Sequence, residues 1–435
     1  MVISKNHSPK KVLLLGAVYP FCDLYDDIRS LGYDAVVCDY FPDAPCKAKA
    51  SISYDVSTTD VPALIEIAKK HEVSGVVTAF SDRNMMPGYE VAIALGLPTL
   101  YTPEIINLIT DKSSLKRFFT NLGVPINKYK LLSSNFTDTD LEDLSFPVVT
   151  KPVDGYGSNG VTLCEDINAV RNSVSITAKE SKDFPRSFLV EEYYASDEIS
   201  ANAWVIDGDV YITCIYDVIK TASNGFKYGN SVFPSKYTSL YMNQIKTLLN
   251  TICLNMGIKN GPVSIQCFIG DKGLKVNEFL FRLPGSASYK YTTILGGPNI
   301  GKMLIQLCAG DPVEYQNIHS FTPIAECFYY KYKLFATPSK IMHYSLSIDE
   351  IRKKIPEVEH ISFYREDGYQ FKAPLKNNEV IMQIYCKVPK NGGKEYSELL
   401  KEIEAEILVE DESGKSIAKV YFSDRDWLRN PIANQ

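Results

Sequence analysis

A lysine at a strand end, followed by a glycine-rich loop, is the clearest sign of chemistry in this sequence. Residues 148–150 are β-branched and typical of a buried strand, and Lys151 follows them directly. In the loop DGYGSNG, residues 154–160, the glycines lack the Cβ atoms that would keep backbone N–H groups away from phosphate oxygens. The pattern indicates phosphate binding with Lys151 as counter-charge, although a glycine-rich hairpin turn has a similar composition. It matches neither the G-x-x-x-x-G-K-[ST] loop nor a G-x-G-x-x-G turn that opens a helix.

A second chemical pattern lies on two strands further along the chain. Residues 263–269 alternate as a strand, turn at 270–273 and return as residues 274–282. A period of two places Glu278, Leu280 and Arg282 on one face of the return strand. A carboxylate and a guanidinium are costly to bury on an apolar strand without partners. They therefore form either a structural ion pair at the strand end or part of a binding site.

Size and composition exclude several classes of protein. A chain of 435 residues predicts about two to four domains, and 45% hydrophobic with 23% charged residues is ordinary for a globular enzyme. The net charge of −6 and pI near 5.6 argue against a nucleic-acid partner. No apolar segment approaches the roughly 18 residues that a membrane span needs. Ten cysteines without a C-x-x-C pair are typical of core residues in a reducing compartment, so we expect a cytoplasmic protein without a membrane partner.

Strands alternating with helices over residues 10–100 predict a parallel α/β layer at the N-terminus. Gly16 is followed by Ala-Val-Tyr-Pro, so the dinucleotide fingerprint is absent and NAD is not expected. The layer is either structural or walls a substrate cleft with strand-end loops such as residues 80–83. Beyond Phe321 the composition changes. Residues 328–334 and 380–388 predict half-exposed strands, and 395–409 an amphipathic helix, in a small α+β module without a catalytic pattern.

The order and spacing of these patterns resemble the ATP-grasp superfamily over about residues 10–320. Within the superfamily, the motifs most resemble those of the carbamoyl-phosphate synthetase large chain and the phosphoribosylglycinamide-synthetase-like ligases. Four segments match in order: TDK at 110–112 before a helix ending LGVP, VTKP with its glycine loop, VEEYY at 190–194, and the paired strands with Gln266, Glu278 and Arg282. The resemblance implies an α/β N-terminal layer (1–108), an α+β ATP-grasp domain (109–320) and a small α+β C-terminal module (321–435).

The resemblance also implies a role for each matched residue. ATP is the expected cofactor, with Mg²⁺ or Mn²⁺. The catalytic residues would be Lys151 and Arg282, and the metal ligands Gln266 and Glu278. The segment 191–194 would read adenine through its backbone, Glu198 would hold the ribose hydroxyls, and Phe268 would lie against the base. The full set of implied nucleotide-binding residues is Lys112, Lys151, Gly155, Gly157, Ser158, Asn159, Gly160, Glu191, Glu192, Tyr193, Tyr194, Glu198 and Phe268.

Leu280 departs from the family pattern, which has asparagine at this position between the glutamate and the arginine. A leucine cannot bind a metal, which predicts a weak or single Mg²⁺ site unless Asn277 enters through a bulge and supplies an oxygen. Gln266 is an acceptable ligand but is neutral. The substitution therefore bears on whether the chain catalyses a reaction at all.

The expected function is an ATP-dependent carboxylate–amine ligase that acts on small molecules through an acyl phosphate and releases ADP and phosphate. The alternative, which Leu280 favours, is an ATP-binding protein that has lost ligation and acts as a sensor or assembly partner. Substrates would bind between the strand-end loops of the first domain and residues 285–290. Candidate anion binders there are Lys220, Lys227, Lys236 and Lys290, although each alone is typical of a solvated surface lysine. Monomer and homodimer both stay open.

Overall fold

Four β-sheets organise the part of the chain that the computed structural model describes, which is residues 9–155, 159–181, 186–221, 227–315, 317–336, 341–370 and 379–419. The predicted strand–helix alternation at the N-terminus is present as a parallel sheet in the order β3-β2-β1-β4. Its elements are β1 Lys11–Leu15, α1 Tyr19–Ser30, β2 Asp34–Cys38, α2 Pro45–Lys49, β3 Ile52–Tyr54, α3 Val61–His71, β4 Gly75–Val77 and α4 Met85–Ala94. Between β4 and α4, a short 3₁₀ turn, Asp82–Asn84, follows the strand-end loop.

Two consecutive helices connect this layer to the rest of the chain. They are α5, Pro103–Thr110, and α6, Lys112–Asn121. Asp111 separates them because it is extended (φ −102°) and its side chain accepts a hydrogen bond from the Ser114 N–H at 2.7 Å, which caps α6. Lys112 therefore occupies the first position of α6, as the sequence pattern predicted.

A small antiparallel sheet contains the lysine–glycine pattern. Its strands are β5 Tyr129–Leu132, β6 Val148–Lys151, β7 Thr162–Cys164 and β8 Phe188–Glu192, in the order β5-β8-β6-β7. Helix α7, Ile167–Glu180, packs against it through Val170. Lys151 is the last residue of β6, so its side chain leaves the sheet where the glycine loop begins.

The largest sheet follows the order β13-β12-β9-β10-β11-β14-β18-β16. Its first five strands are β9 Ser196–Ile206, β10 Asp209–Thr221, β11 Lys227–Phe233, β12 Gly261–Gly270 and β13 Gly273–Leu280. The helices of this part of the chain are α8 Thr238–Met256, α9 Lys290–Ile294 and α10 Ile300–Cys308. Apolar residues of α8, such as Ile245 and Leu249, share a buried cluster with the strands β9, β10 and β12.

Four of the strands after Phe321, β14, β16, β18 and β20, extend this same sheet, whereas β15, β17 and β19 form a separate small one. The prediction that residues 328–334 and 380–388 form half-exposed strands is wrong. Strand β14, Cys327–Ala336, pairs with β11 on one side and β18 on the other. Both of its faces are covered, since Lys331 and Tyr332 are 1% and 0% exposed. The remaining elements are β15 Ile341–Tyr344, α11 Ile348–Lys354, β16 Val358–Phe363, β17 Tyr369–Gln370, β18 Glu379–Pro389, α12 Tyr396–Glu406, β19 Val409–Glu410 and β20 Ala418–Lys419.

Two further sequence expectations concern the whole chain. All ten cysteines are free, and all except Cys327 are buried, in agreement with the expected core role. Among the described residues, none of the helices combines the length and the hydrophobicity that crossing a membrane would require.

Candidate active site

One cavity of about 1260 Å³ lies where α6, the small sheet, the large sheet and the loop after β4 meet. Every described residue that was predicted to bind the nucleotide or the metal, or to act in catalysis, lines it, except Gly160. These lining residues are Lys112, Lys151, Gly155, Asn159, Glu191, Glu192, Tyr193, Tyr194, Glu198, Gln266, Phe268, Glu278 and Arg282. Gly157 and Ser158 lie outside the described residues. Four segments separated by up to 170 positions (112 to 282) thus converge on one space.

Gly160 does not line the cavity, and its backbone contacts helix α7. Its φ of +73° is a backbone conformation that glycine adopts without strain, and its carbonyl accepts a hydrogen bond from Thr177 Oγ1 at 3.2 Å. A Cβ on Gly160 would also approach Glu180 and Pro152 closely. The residue therefore closes the glycine loop against α7, away from the cavity.

Lys112 and Lys151 both reach the same side of the cavity, which we call the α6 side and define by Lys112, Lys116, Lys151, Glu191 and Glu278. The Lys112 ammonium donates to the Gly155 carbonyl and lies 3.8 Å from Glu278 Oε1. The Lys151 ammonium lies 2.6 Å from Glu191 Oε1. Each lysine is therefore held by a carboxylate of the chain and points toward the glycine loop or the strand β8.

Lys116 is a member of this group that the sequence analysis missed. Its ammonium lies 3.0 Å from Glu191 Oε2, so Glu191 bridges two lysines. Burial lowers the pKa of Lys116 to about 8, although Glu191 opposes the shift. Burial alone would raise the pKa of Glu191, but the two lysines hold it below its ordinary value. The signal was available, since Lys116 follows Lys112 by one helical turn and shares its face of α6.

Two backbone N–H groups of the segment 191–194, which is predicted to read adenine, already have partners within the chain. The N–H of Glu192 donates to Lys128 O and that of Tyr193 to Pro147 O, both at 2.9 Å. Because the chain uses both N–H groups itself, they cannot also bind a base. The Tyr194 hydroxyl accepts from the Lys272 N–H and donates to Gly273 O, both at 2.8 Å, which fixes the turn between β12 and β13. Any contact of this segment with a base must use other groups.

Glu198 and Phe268 face one another across the paired strands β9 and β12. Both line the cavity, and Glu198 is 1% exposed. A buried carboxylate beside an aromatic ring offers hydrogen-bond acceptors and an apolar surface at the same place. This combination suits a ligand that contains both hydroxyl groups and a flat ring.

A β-bulge brings Asn277 into the cavity beside Glu278. Gln266 pairs with Glu278, but the next pair is Cys267 with Val276, so Asn277 has no partner position on β12. Gln266, Asn277 and Glu278 all line the cavity. Leu280 lies opposite Ser264 and is 5% exposed. The bulge therefore adds a residue with an amide side chain to the cavity wall three positions before Leu280, which also lines the cavity.

Arg282 is held by a carboxylate from the N-terminal layer. Its Nε and Nη2 donate to the two oxygens of Asp82 at 2.5 and 2.8 Å, and Nη1 donates to Leu283 O at 3.1 Å. Burial opposes the charge on both groups, yet the pairing keeps the pKa of Asp82 below and that of Arg282 above its ordinary value. The ion pair joins the segment that follows β13 to the 3₁₀ turn after β4, so both alternatives considered for Arg282 are compatible with its position.

The opposite side of the cavity, the β14 side, is defined by Ser286, Lys331 and Lys333. The Lys331 ammonium donates to Ser286 O at 2.7 Å, and that of Lys333 to the Tyr19 hydroxyl at 3.1 Å. Sequence analysis missed both lysines because a Lys-Tyr-Lys alternation was interpreted as a half-exposed strand.

The lysines that sequence analysis proposed as anion binders lie elsewhere. Lys236 pairs with Asp197 at 2.7 Å and Lys290 with Asp23 at 2.5 Å, and neither lines the cavity. The side chains of Lys220 and Lys227 lie outside the described ones.

Comparison with known proteins gives an independent view of this site. Residues 144–286 match the sequence profile of the ATP-grasp domain. Dapdiamide A synthase of Enterobacter agglomerans is 27% identical over 164 residues, which are 36% of this chain and 38% of that relative. Formate-dependent phosphoribosylglycinamide formyltransferase of Wolinella succinogenes is 23% identical over 279 residues, 62% of this chain and 68% of that relative. The matched part thus spans 38% of the length of the first of these relatives.

The similarity in three dimensions extends over nearly the whole chain. The structure of an L-amino acid ligase from Bacillus licheniformis superposes with a TM-score of 0.69 at 17% identity and covers 93% of this chain and 99% of that one. At this identity the likeness concerns the fold, which therefore includes the strands beyond residue 321.

Proposed function

Residues 144–286 match the ATP-grasp domain, and from that premise we propose that the protein belongs to the ATP-grasp superfamily and is an ATP-dependent ligase that joins a small carboxylate to an amine. The proposal includes an acyl-phosphate intermediate and the release of ADP and phosphate. The observation that carries it is the single cavity that joins the lysine–glutamate group of the α6 side to Arg282 and to the β14 side. A phosphate donor and its acceptor must share one space if a phosphoryl group is to pass between them.

The α6 side suits a polyphosphate because its charge is positive even after internal pairing. Lys116 and Lys151 share one carboxylate, Glu191, so this group of three side chains keeps one positive charge. The Lys112 ammonium lies 3.8 Å from Glu278 Oε1, which is a longer and weaker pairing. We propose that Lys112 and Lys151 bind the phosphates of ATP together with the loop at Gly155 and Asn159, and that Lys116 positions Glu191. Glu198 and Phe268 would then meet the ribose and the base.

The residues at the bulge fit a Mg²⁺ ion bound with the nucleotide. Gln266, Asn277 and Glu278 present amide and carboxylate oxygens to one cavity, and oxygen is the ligand type that Mg²⁺ prefers. We propose that these three residues hold the ion, which would supply positive charge to the phosphate oxygens when bound. The family pattern has an asparagine at the position of Leu280, and in this chain Asn277 would supply the amide oxygen in its place. The alternative function, ATP binding without ligation, rests on Leu280, which lines the same cavity.

In the proposed reaction, a carboxylate oxygen of the first substrate attacks the γ-phosphorus, and the bond to ADP breaks. The amine nitrogen then attacks the acyl carbon, phosphate leaves, and the amine loses its proton. Asp82 fixes the orientation of Arg282, which lines the cavity and keeps further N–H donors for oxygens of the transferring group. Positioning and charge would thus account for the chemistry, as phosphoryl transfer requires little covalent participation by the protein.

The test is ADP release over a panel of amino acids and other small carboxylates, each with and without an amine. Amino acids come first because the fold is shared with an L-amino acid ligase. ADP release that requires both a carboxylate and an amine would support ligation. Arg282→Lys is the informative variant, since it keeps a positive charge but loses the two-pronged contact with Asp82. ATP binding without ADP release over the whole panel would favour the alternative.

A further inference from the structure

The buried lysines of this chain fall into two classes. Among the described residues, four lysines are buried: Lys47, Lys116, Lys331 and Lys333. Lys47 lies 2.6 Å from Asp55, and Lys116 lies 3.0 Å from Glu191. Lys331 and Lys333 form no salt bridge with a carboxylate in the described part of the chain, and their ammonium groups donate only to neutral oxygens of Ser286 and Tyr19. This second class occurs only where strand β14 faces the cavity.

Strand geometry places both ammonium groups at one location. Lys331 and Lys333 are two positions apart on β14, so they share a face, and both line the cavity. The opposite face of the strand packs its tyrosines on α12, with the Tyr332 and Tyr396 rings stacked at 4.8 Å. The burial of the two lysines thus follows from the position of the strand and not from a loop that covers a surface residue. A well-packed core strand directs them inward.

The surroundings of the two lysines are polar, and no carboxylate in the described part of the chain forms a salt bridge with either ammonium group. Asn230 accepts a hydrogen bond from the Lys333 backbone N–H at 2.9 Å, and Ser231 exchanges one with Tyr291 at 2.9 Å. Of the carboxylates that line the cavity, Asp82 is already paired with Arg282 through both of its oxygens. Burying an ammonium without a counter-charge is costly. Burial and the neighbouring Lys333 accordingly lower the pKa of Lys331 well below its ordinary value.

We propose that Lys331 and Lys333 form a binding site for an oxyanion, a carboxylate or a phosphate group, that belongs to a substrate and does not react. An oxyanion supplies the missing negative charge and accepts hydrogen bonds from both ammonium groups at once. The inference rests on the proposed ligase function for the statement that the ligand is a substrate. It defines the substrate class: one of the two joined molecules has an additional anionic group, as an amino acid or a phosphorylated amine does.

Direct binding tests the site without requiring turnover. Inorganic phosphate and glycine would be titrated by calorimetry into the wild type, Lys331→Met and Lys333→Met, each without ATP. Lys236→Met serves as the matched control, because it removes an exposed lysine outside the cavity that is paired with Asp197. We expect phosphate, glycine or both to bind the wild type and the control equally. Each cavity variant should bind at least about tenfold more weakly, the loss of one charge-assisted contact. ATP affinity should be the same in all four proteins, which shows that the variants are folded.

The outcome also distinguishes the two possible anions and the two proposals. Tighter binding of phosphate than of glycine assigns a phosphorylated substrate, and the reverse assigns a carboxylate. Equal affinity of the wild type and both cavity variants, or no binding of either probe to the wild type, overturns the site. Binding that depends on both lysines, together with no ADP release over the whole substrate panel, leaves the oxyanion site in place and overturns the ligase.

Discussion

The two sides of the cavity treat their lysines in opposite ways. On the α6 side, Lys112, Lys116 and Lys151 each face a glutamate of the chain. On the β14 side, Lys331 and Lys333 face neutral oxygens. An internal carboxylate keeps a lysine charged and oriented before a ligand arrives. A lysine without one depends on the ligand for its counter-charge, so the contrast indicates a preorganised side and a side that the ligand completes.

The largest expected effect on stability comes from removing the carboxylate that two lysines of the α6 side share. Glu191→Gln leaves the buried Lys116 and the half-buried Lys151 without a counter-charge, and we expect a loss of about 3–5 kcal/mol in the free energy of unfolding. Denaturant titration measures it. Glu192→Gln is the matched control, since the neighbouring carboxylate accepts a single hydrogen bond from the Ser145 N–H and contacts no buried lysine in the described residues. Equal losses in the two variants would show that the lysine–glutamate group does not stabilise the fold.

Removing a lysine from the α6 side should weaken nucleotide binding. Lys151→Ala deletes a charge-assisted contact with phosphate, on the order of 1.5–3 kcal/mol, so ATP affinity should fall about tenfold or more. Lys112→Ala should act in the same direction. Calorimetric titration with ATP is the measurement, and Lys130→Ala, which removes a lysine paired with Asp143 outside the cavity, is the control. An unchanged affinity in Lys151→Ala would remove this residue from the nucleotide site.

On the β14 side, removal of a lysine should have the opposite effect on stability. Lys331→Met replaces an uncompensated buried ammonium with an apolar chain of similar length. We expect the ligand-free protein to gain about 1 kcal/mol or more in the free energy of unfolding. The folded-state pKa of Lys331 lies below its ordinary value of 10.5, so the unfolded chain binds the proton more tightly. The gain should therefore be largest at lower pH and shrink as the pH rises toward 10.5.

Denaturant titrations of Lys331→Met and wild type at several pH values measure this gain. Lys236→Met should show a change within about 0.5 kcal/mol and no comparable trend, because its ammonium is exposed and paired. A destabilised Lys331→Met would mean that the contact with Ser286 contributes more to stability than the buried charge costs.

The smallest expected effects concern the bulge. Asn277→Ala removes a proposed Mg²⁺ ligand, so the Mg²⁺ concentration for half-maximal ATP binding should rise about three- to tenfold. Leu280→Asn should change it by about twofold or less, because Asn277 already presents an amide oxygen to the cavity. Calorimetry of ATP binding over a Mg²⁺ series measures both. A large shift in Leu280→Asn with none in Asn277→Ala would restore the interpretation that the ligand set lacks a residue.

Local patterns account for the parts of the site that could be predicted. Lys151 was found because a strand end and a glycine loop are adjacent in sequence, and Lys112 because Asp111 caps the helix that it begins. Arg282 and Glu278 were found by the two-residue period of a strand. Asn277 was considered only as an option, since a bulge depends on the register between two strands and not on either strand alone.

The sequence by itself determined the local conformations that present Lys112, Lys151, Glu278 and Arg282, because caps, turns and strand periodicity act over a few residues. Only the tertiary structure decided which lysines have counter-charges. Glu191 is 75 positions from Lys116, and the burial of Lys331 depends on β11 and β18, which cover both edges of β14. The alternation of lysine and tyrosine in β14 is the same whether one face is solvated or buried. Its environment is set by packing among distant segments, and so is the charge that the cavity leaves for a ligand.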